Sequence, residues 1–277
     1  MYDDLYPSLN NLSDGISEFT FPGLFLFRFK YNYHISRIGE NVLILTGEYR
    51  KKTFFSTPSA VPEKPILDAL FDKYRVWKNM PPSIVETEGA IITSWGYSIE
   101  EDRNNFDYLY DRKELAELSG KKFHKKKNLV NSFVSSYQHE IKPLDCVTRD
   151  DALAVLEQWR GGREDEGDYS SAKEALQYLE KLPLTGIIVY ADGKPAGWTL
   201  GEPLAAGTMF AVHYEKGLDG YHGIYQFVNQ AFAAGLPDTV ITINREQDMG
   251  EPGMRQAKMT YRPCGFVKKC TAVKTVL

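Results

Sequence analysis

Glu246 and Asp248 are the side chains best suited to take a proton from a nucleophile. They lie in Asn244-Arg245-Glu246-Gln247-Asp248, a strongly polar cluster directly after the strand-forming run Thr239-Val240-Ile241-Thr242-Ile243. A carboxylate beside a nucleophile acts as a general base; the same two residues can instead cap the next helix or pair with Arg245. Arg245 and Lys258 are cations able to neutralise a phosphate or carboxylate, with surface solvation as their other reading. Upstream, Glu215-Lys216-Gly217-Leu218-Asp219-Gly220-Tyr221-His222-Gly223 must turn. Gly217, Gly220, Tyr221, His222 and Gly223 of that turn are the expected cofactor contacts. His222, at a helix mouth, can donate or accept a hydrogen bond.

These residues need a frame. Met209-Phe210-Ala211-Val212-His213-Tyr214 is an apolar run of strand formers, and Ile224, Phe227, Val228, Ala231 and Phe232 recur at helical steps over 224–234. A strand feeding a glycine turn feeding a helix collects unpaired N–H groups and the positive end of a helix dipole at one point, which favours an anion. If the strands at 209–214 and 239–243 are parallel neighbours joined by that helix, the turn and the polar cluster share one sheet edge and open onto one crevice. A further helix is predicted over 252–261, with Pro252 in its first turn.

A second candidate lies upstream. Lys121, Lys122, Lys125, Lys126 and Lys127 fall with His124 inside seven residues. They crowd the start of a predicted helix, where cations are disfavoured by the dipole. Either they form a solvated helix end, or they face an anion: a phosphate-bearing donor, a tRNA backbone or an acidic protein face.

The rest of the pattern is mixed. Strands are predicted at 23–31, 41–47 and 53–56, with a turn at 38–41. Helices follow at 64–77 and 88–95, then strand pieces within 97–110, then two helices broken at Gly120, expected as a C-cap. After a strand near 141–147 come helices opening at 148–151 and spanning 171–182, with a polar loop at 161–168 between them. Strands at 186–190 and 195–201 are joined by an Asp192-Gly193 hairpin turn.

Composition bounds the answer. At 277 residues, 43% apolar, the chain can bury real cores, and a net charge of −4 argues against a protein coated in nucleic acid. No apolar run approaches the roughly 20 residues that span a bilayer, and the start lacks signal-peptide character, so a cytoplasmic protein is expected. Cys146, Cys264 and Cys270 read as reduced thiols. His34, His124, His139 and His213 lack metal-ligand spacing and read as structural; no metal is expected.

The spelling Ala257-Lys258-Met259-Thr260-Tyr261-Arg262-Pro263-Cys264-Gly265-Phe266, with the element order from 148 onward, resembles GNAT-type N-acyltransferases. The motifs Asp107-Tyr108-Leu109-Tyr110 through the lysine run to Asn128, Gly223-Ile224-Tyr225-Gln226, and Asn244 to Gly250 through Lys258 to Tyr261 resemble the phosphatidylglycerol lysyltransferase C-terminal domain family. That resemblance implies an α+β fold of two tandem GNAT-like (acyl-CoA N-acyltransferase) domains, 1–125 and 126–277, with mixed, mostly antiparallel sheets flanked by helices. It is similar in arrangement to the Fem peptidyltransferases. It implies transfer of an amino acid from charged tRNA to a lipid, peptide or small-molecule amine or hydroxyl, acyl-CoA dependence being the close variant, with no tightly bound cofactor. Tyr261 matches the GNAT tyrosine that acts as general acid in part of that superfamily. The GNAT donor loop is usually Arg/Gln-x-x-Gly-x-Gly/Ala. Here Asp219 stands beside Gly220, and it would repel a pyrophosphate by roughly 1 kcal/mol. A non-catalytic module binding a small anion or a partner protein on the same scaffold is the alternative.

Overall fold

The computed structural model describes residues 2–39, 42–161 and 163–275. In chain order its elements are α1 (Tyr2–Asn10), α2 (Phe21–Leu26), β1 (His34–Ile38), β2 (Val42–Tyr49), β3 (Lys52–Ser56), α3 (Lys64–Lys73), β4 (Val76–Met80), α4 (Pro82–Ser94) and β5 (Tyr97–Glu101). There follow β6 (Asp107–Asp111), α5 (Arg112–Glu117), α6 (His124–Ser136), β7 (His139–Pro143), α7 (Arg149–Gly161), α8 (Tyr169–Gln177), β8 (Thr185–Ala191) and β9 (Lys194–Leu204). The chain closes with β10 (Met209–Gly217), α9 (Ile224–Gly235), β11 (Thr242–Asn244), α10 (Pro252–Met259), β12 (Gly265–Val267) and β13 (Cys270–Lys274).

One six-stranded sheet has the order β1-β2-β3-β4-β13-β5, so the last strand of the chain inserts between two early ones. Only β3 and β4 in its assigned pairings run parallel. Phe55, Trp77, Tyr97 and Phe71 fill its core. The other, seven-stranded sheet has the order β12-β6-β11-β10-β9-β8-β7. Its core joins Val189, Ala191 and Ala196 of the sheet to Phe133 of α6 and Phe227 and Val228 of α9. Burying each of those large apolar side chains stabilises the fold by about 1.5–3 kcal/mol.

The chain divides into two units that do not follow it as consecutive halves. Met1–Tyr108, Gln247–Arg255 and Phe266–Leu277 form one; Leu109–Glu246 and Gln256–Gly265 form the other. A division at 125/126 differs from this because α5 and the lysine run pack within the second unit, α5 against α9, and the C-terminal strand completes the first sheet.

Local chemistry overrides pattern at several places. Over 23–31 the aromatic run forms no strand: the Thr20 hydroxyl accepts from Gly23 N–H at 2.9 Å and Pro22 sits in the first turn, so α2 starts there. The helix from 64 stops at Lys73, and Val76–Met80 becomes β4. The turn expected at 38–41 falls partly on Glu40 and Asn41, outside the described residues. Leu118, at φ 48°, is the left-handed residue that ends α5, ahead of Gly120. Asp192 and Gly193 are both left-handed, as a two-residue hairpin turn requires.

Candidate functional site

In the second unit β10 and β11 run parallel, joined by α9. Their pairing covers only Met209–Thr242, Phe210–Ile243 and Ala211–Asn244, while β10 continues to Gly217. Beyond Ala211–Asn244 the two strands are no longer paired, because β11 ends at Asn244.

Glu246 is held at three places. Its N–H donates to Asn244 Oδ1 at 2.7 Å, from a side chain that is fully buried. Lys258 of α10 donates its ammonium to the carbonyls of Arg245 at 2.6 Å and Glu246 at 3.0 Å. The Glu246 Oε1 accepts from His213 Nδ1 at 2.7 Å. These bonds stabilise a left-handed backbone at Glu246, φ 56°, which disfavours a side chain by about 1–2 kcal/mol. On the other side of the ring, His213 Nε2 lies 2.9 Å from Glu202 Oε1. Burial pushes the imidazole toward neutrality, but hydrogen bonds and charge from Glu202 and Glu246 outweigh it and raise its pKa to about 10. The Glu246 side chain remains 28% exposed, against 3% for His213 and 2% for Glu202.

Arg245 donates to Glu215 Oε1 at 3.0 Å, and Asn229 Nδ2 of α9 approaches Glu215 Oε2 at 3.3 Å. The Arg245 guanidinium lies 5.0 Å from the Tyr261 ring centroid, and the Lys126 ammonium 4.1 Å from the same ring. Burial pushes the Tyr261 hydroxyl up to about 12, Arg245 pulling the other way, so it carries its proton at neutral pH. Burial and the Arg245 charge lower the Lys126 pKa.

The glycine turn sits beside a cavity of about 210 Å³ lined by Gln158, Trp159, Arg163, Leu218, Asp219 and Tyr221, together with Gly217 and Gly220. Lys216, 4% exposed, donates to both oxygens of Asp168 at 2.7 Å and stacks 4.2 Å from Trp159, whose other neighbour is Arg163 at 4.5 Å. No residue of the 244–248 cluster lines this cavity. Gly223 serves packing: it is left-handed at φ 86°, and a Cβ there would stand 2.2 Å from the Leu129 carbonyl of α6. His222 is exposed, its N–H 3.4 Å from the Tyr137 hydroxyl, and it is not part of the lining.

The lysine run disperses. Lys122 pairs with Glu114 at 2.5 Å, Lys127 donates to the Glu117 carbonyl at 3.3 Å, Lys126 reaches Tyr261, and Lys121 and Lys125 are exposed. In the first unit, fully buried Asp248 accepts from Tyr108 Oη, from Arg255 Nε at 2.7 Å and Nη2 at 2.8 Å, and from Gly250 N–H at 2.8 Å. Burial opposes its charge, but these donors hold its pKa well below the usual carboxylate range. A carboxylate so occupied is a structural hub and a poor base.

Glu202, Glu215, Trp159 and Arg163 are not among the residues the sequence singles out, and His213 reads from spacing alone as structural. One signal was present: Glu202 is the one charged residue in the run Pro195 to Ala206. Among the described residues no group of three or more His, Cys, Asp or Glu side chains could hold a metal ion, and no helix is long and apolar enough to cross a membrane.

Comparison with known proteins places the fold. A conserved protein of unknown function from Bacteroides thetaiotaomicron is 27% identical, with a TM-score of 0.87 over 99% of this chain and 97% of that one. L-PGS from Bacillus licheniformis, 13% identical, superposes with a TM-score of 0.62 over 92% of this chain and 91% of its own. FemX, 9% identical, gives 0.54 over 93% and 91%. The last two likenesses concern fold alone, and with the two sheets they make this an α+β protein of tandem GNAT-like domains. The family described as phosphatidylglycerol lysyltransferase, C-terminal, matches residues 9–272.

Proposed function

The chain belongs to the phosphatidylglycerol lysyltransferase C-terminal family, and from that premise we propose that it is an acyltransferase moving an aminoacyl group from charged tRNA to an amine or hydroxyl acceptor. Acyl-CoA is the alternative donor. The observation that carries this reading is the threefold hold on Glu246, which fixes a part-exposed carboxylate where β10 and β11 separate. Strained, over-determined residues of this kind mark working sites.

In the proposed reaction Glu246 takes the proton of the acceptor N–H or O–H as its lone pair attacks the donor ester carbonyl. The tetrahedral intermediate expels the terminal ribose hydroxyl of the tRNA, breaking the C–O bond, and Tyr261 gives that oxygen its proton. Proton return from Glu246 to Tyr261 through solvent closes the cycle. Arg245, next to Glu246 in sequence and 5.0 Å from the Tyr261 ring, is suited to developing negative charge. The cavity at Gly217 to Tyr221 suits a phosphate or sugar of the donor, with Arg163 as its cation. Exposed Lys121 and Lys125 suit a nucleic-acid backbone.

A binding module without catalysis is the second reading. It draws on the ion pairs Glu215–Arg245 and Glu202–His213–Glu246, in which these charged side chains already engage one another. The test is transfer of labelled amino acids from a charged tRNA pool, and of acetyl from acetyl-CoA, to lipid, peptide and polyamine acceptors. Turnover by the wild type that is lost in Glu246→Gln supports the enzyme; saturable ligand binding with no turnover supports the module.

A further inference from the structure

We infer that His213, gripped by Glu202, is a positioning residue that fixes the Glu246 carboxylate and leaves Oε2 as its working oxygen. The inference deepens the acyl-transfer reading, on which it rests for what Glu246 then does.

It begins with backbone register. β9 and β10 pair Val212 with Gly201 and Tyr214 with Leu200, so His213 is an extra residue in β10 with no opposite number. A β-bulge of this kind bends its strand and re-aims a side chain, and bulges concentrate beside active sites. Here the re-aimed ring lies between two carboxylates, Glu202 on β9 and Glu246 beyond β11.

For two ionised glutamates, hydrogen counting sets the state of the ring. A carboxylate oxygen accepts, so both ring nitrogens must carry hydrogen to serve Glu202 at 2.9 Å and Glu246 at 2.7 Å. A neutral ring would turn a lone pair toward one carboxylate in a place where water does not reach, His213 being 3% and Glu202 2% exposed. Glu202 and Glu246 are the charged groups hydrogen-bonded to the ring, and the neighbouring aromatic is Tyr214 at 6.2 Å between centroids. The imidazolium therefore persists through neutral pH.

The consequence falls on Glu246. A glutamate side chain has three rotatable bonds, and an unpinned one would lose orientation. With N–H, carbonyl and Oε1 all engaged, only Oε2 lacks a partner among the described residues. Glu202 is linked to Glu246 through the ring, so it acts as the anchor of the anchor.

The test uses the full chain. Ring ¹⁵N shifts of His213 are followed by NMR from pH 6 to 11 in the wild type and in Glu202→Gln, which keeps side-chain volume. The inference expects both nitrogens protonated at pH 8 and a midpoint at least about one unit lower in Glu202→Gln. A neutral tautomer at pH 8, or an unmoved midpoint, overturns it. Crystal structures of His213→Ala and Glu202→Gln are expected to show the Glu246 carboxylate displaced or in several rotamers; an unchanged carboxylate in both overturns it. If the wild type turns over, His213→Ala should lower kcat roughly 10- to 100-fold with little change in KM, and added imidazole should restore part of it. Unchanged kcat overturns positioning and spares acyl transfer. If no donor supports turnover, acyl transfer falls, and the grip on Glu246 is decided by the titration and the two structures.

Discussion

Glu246 and Asp248 stand two residues apart in one polar run, yet they belong to different units and meet opposite surroundings. Asp248, wholly buried, has both oxygens taken by Arg255, and Tyr108 and Gly250 add further donors. Glu246 has one oxygen taken by a charged ring, while the side chain keeps 28% of its surface open. The contrast separates two uses of a carboxylate. A saturated one organises backbone, because moving a proton onto it breaks several bonds at once. One with a single pinned oxygen is oriented and still able to accept.

Exchanging charge for an amide at the two positions sharpens that contrast most. Glu246→Gln keeps the volume, so transfer should fall about 10²- to 10⁴-fold, the usual worth of a general base, while the loss of stability stays smaller than at Asp248 because Glu246 is part-exposed and Glu202 still pairs with His213. Asp248→Asn should do the reverse. Removing one partner of a buried ion pair costs about 3–5 kcal/mol, and the low end applies because Arg255 is 38% exposed. Denaturant melts of both variants check the split. Equal destabilisation by the two would erase the distinction between them.

pH tests the same pair from the side of protons. His213 binds its proton more tightly folded than unfolded, so its contribution to stability is complete below about 6.5 and is lost as pH rises through about 10. Asp248 holds its proton less tightly when folded, so its contribution is present above 3.8 and is lost as pH falls toward its lowered folded value. Denaturant midpoints across pH should decline at both ends; His213→Gln should flatten the alkaline limb and Asp248→Asn the acid one. A shift of one pKa unit corresponds to about 1.4 kcal/mol, so each limb should be measurable.

The same comparison shows what a sequence can carry. Strand, turn and helix over 209–234 were legible because periodicity and glycine placement are local properties, and the parallel pairing of β10 and β11 followed from the connection. Aromatic residues at 25–31 read as a strand because the cap made by Thr20 and Pro22 lies just outside the run and acts through geometry. Nothing in the spelling distinguishes Glu246 from Asp248, since their difference comes from Tyr108 and Arg103 on one side and His213 and Glu202 on the other. His213 read as structural because a bulge has no sequence signature, and Trp159 with Arg163 reach the glycine turn only through the packing of α7 on β10.

A smaller effect comes from two glycines three apart in the turn, where a cofactor cradle was expected of both. At Gly223 a methyl group meets the Leu129 carbonyl at 2.2 Å and the backbone is left-handed, so Gly223→Ala combines strain with overpacking and should cost about 2–4 kcal/mol, read from a urea midpoint. At Gly220 a methyl group meets nothing within 4 Å and the backbone is ordinary, so Gly220→Ala should change stability by less than about 0.5 kcal/mol. Gly220 lines the cavity with Trp159 and Arg163, so under the acyl-transfer reading the added methyl should raise the donor KM a few-fold with kcat preserved. A donor KM unmoved by Gly220→Ala, in a variant as stable as the wild type, would move donor binding away from this turn.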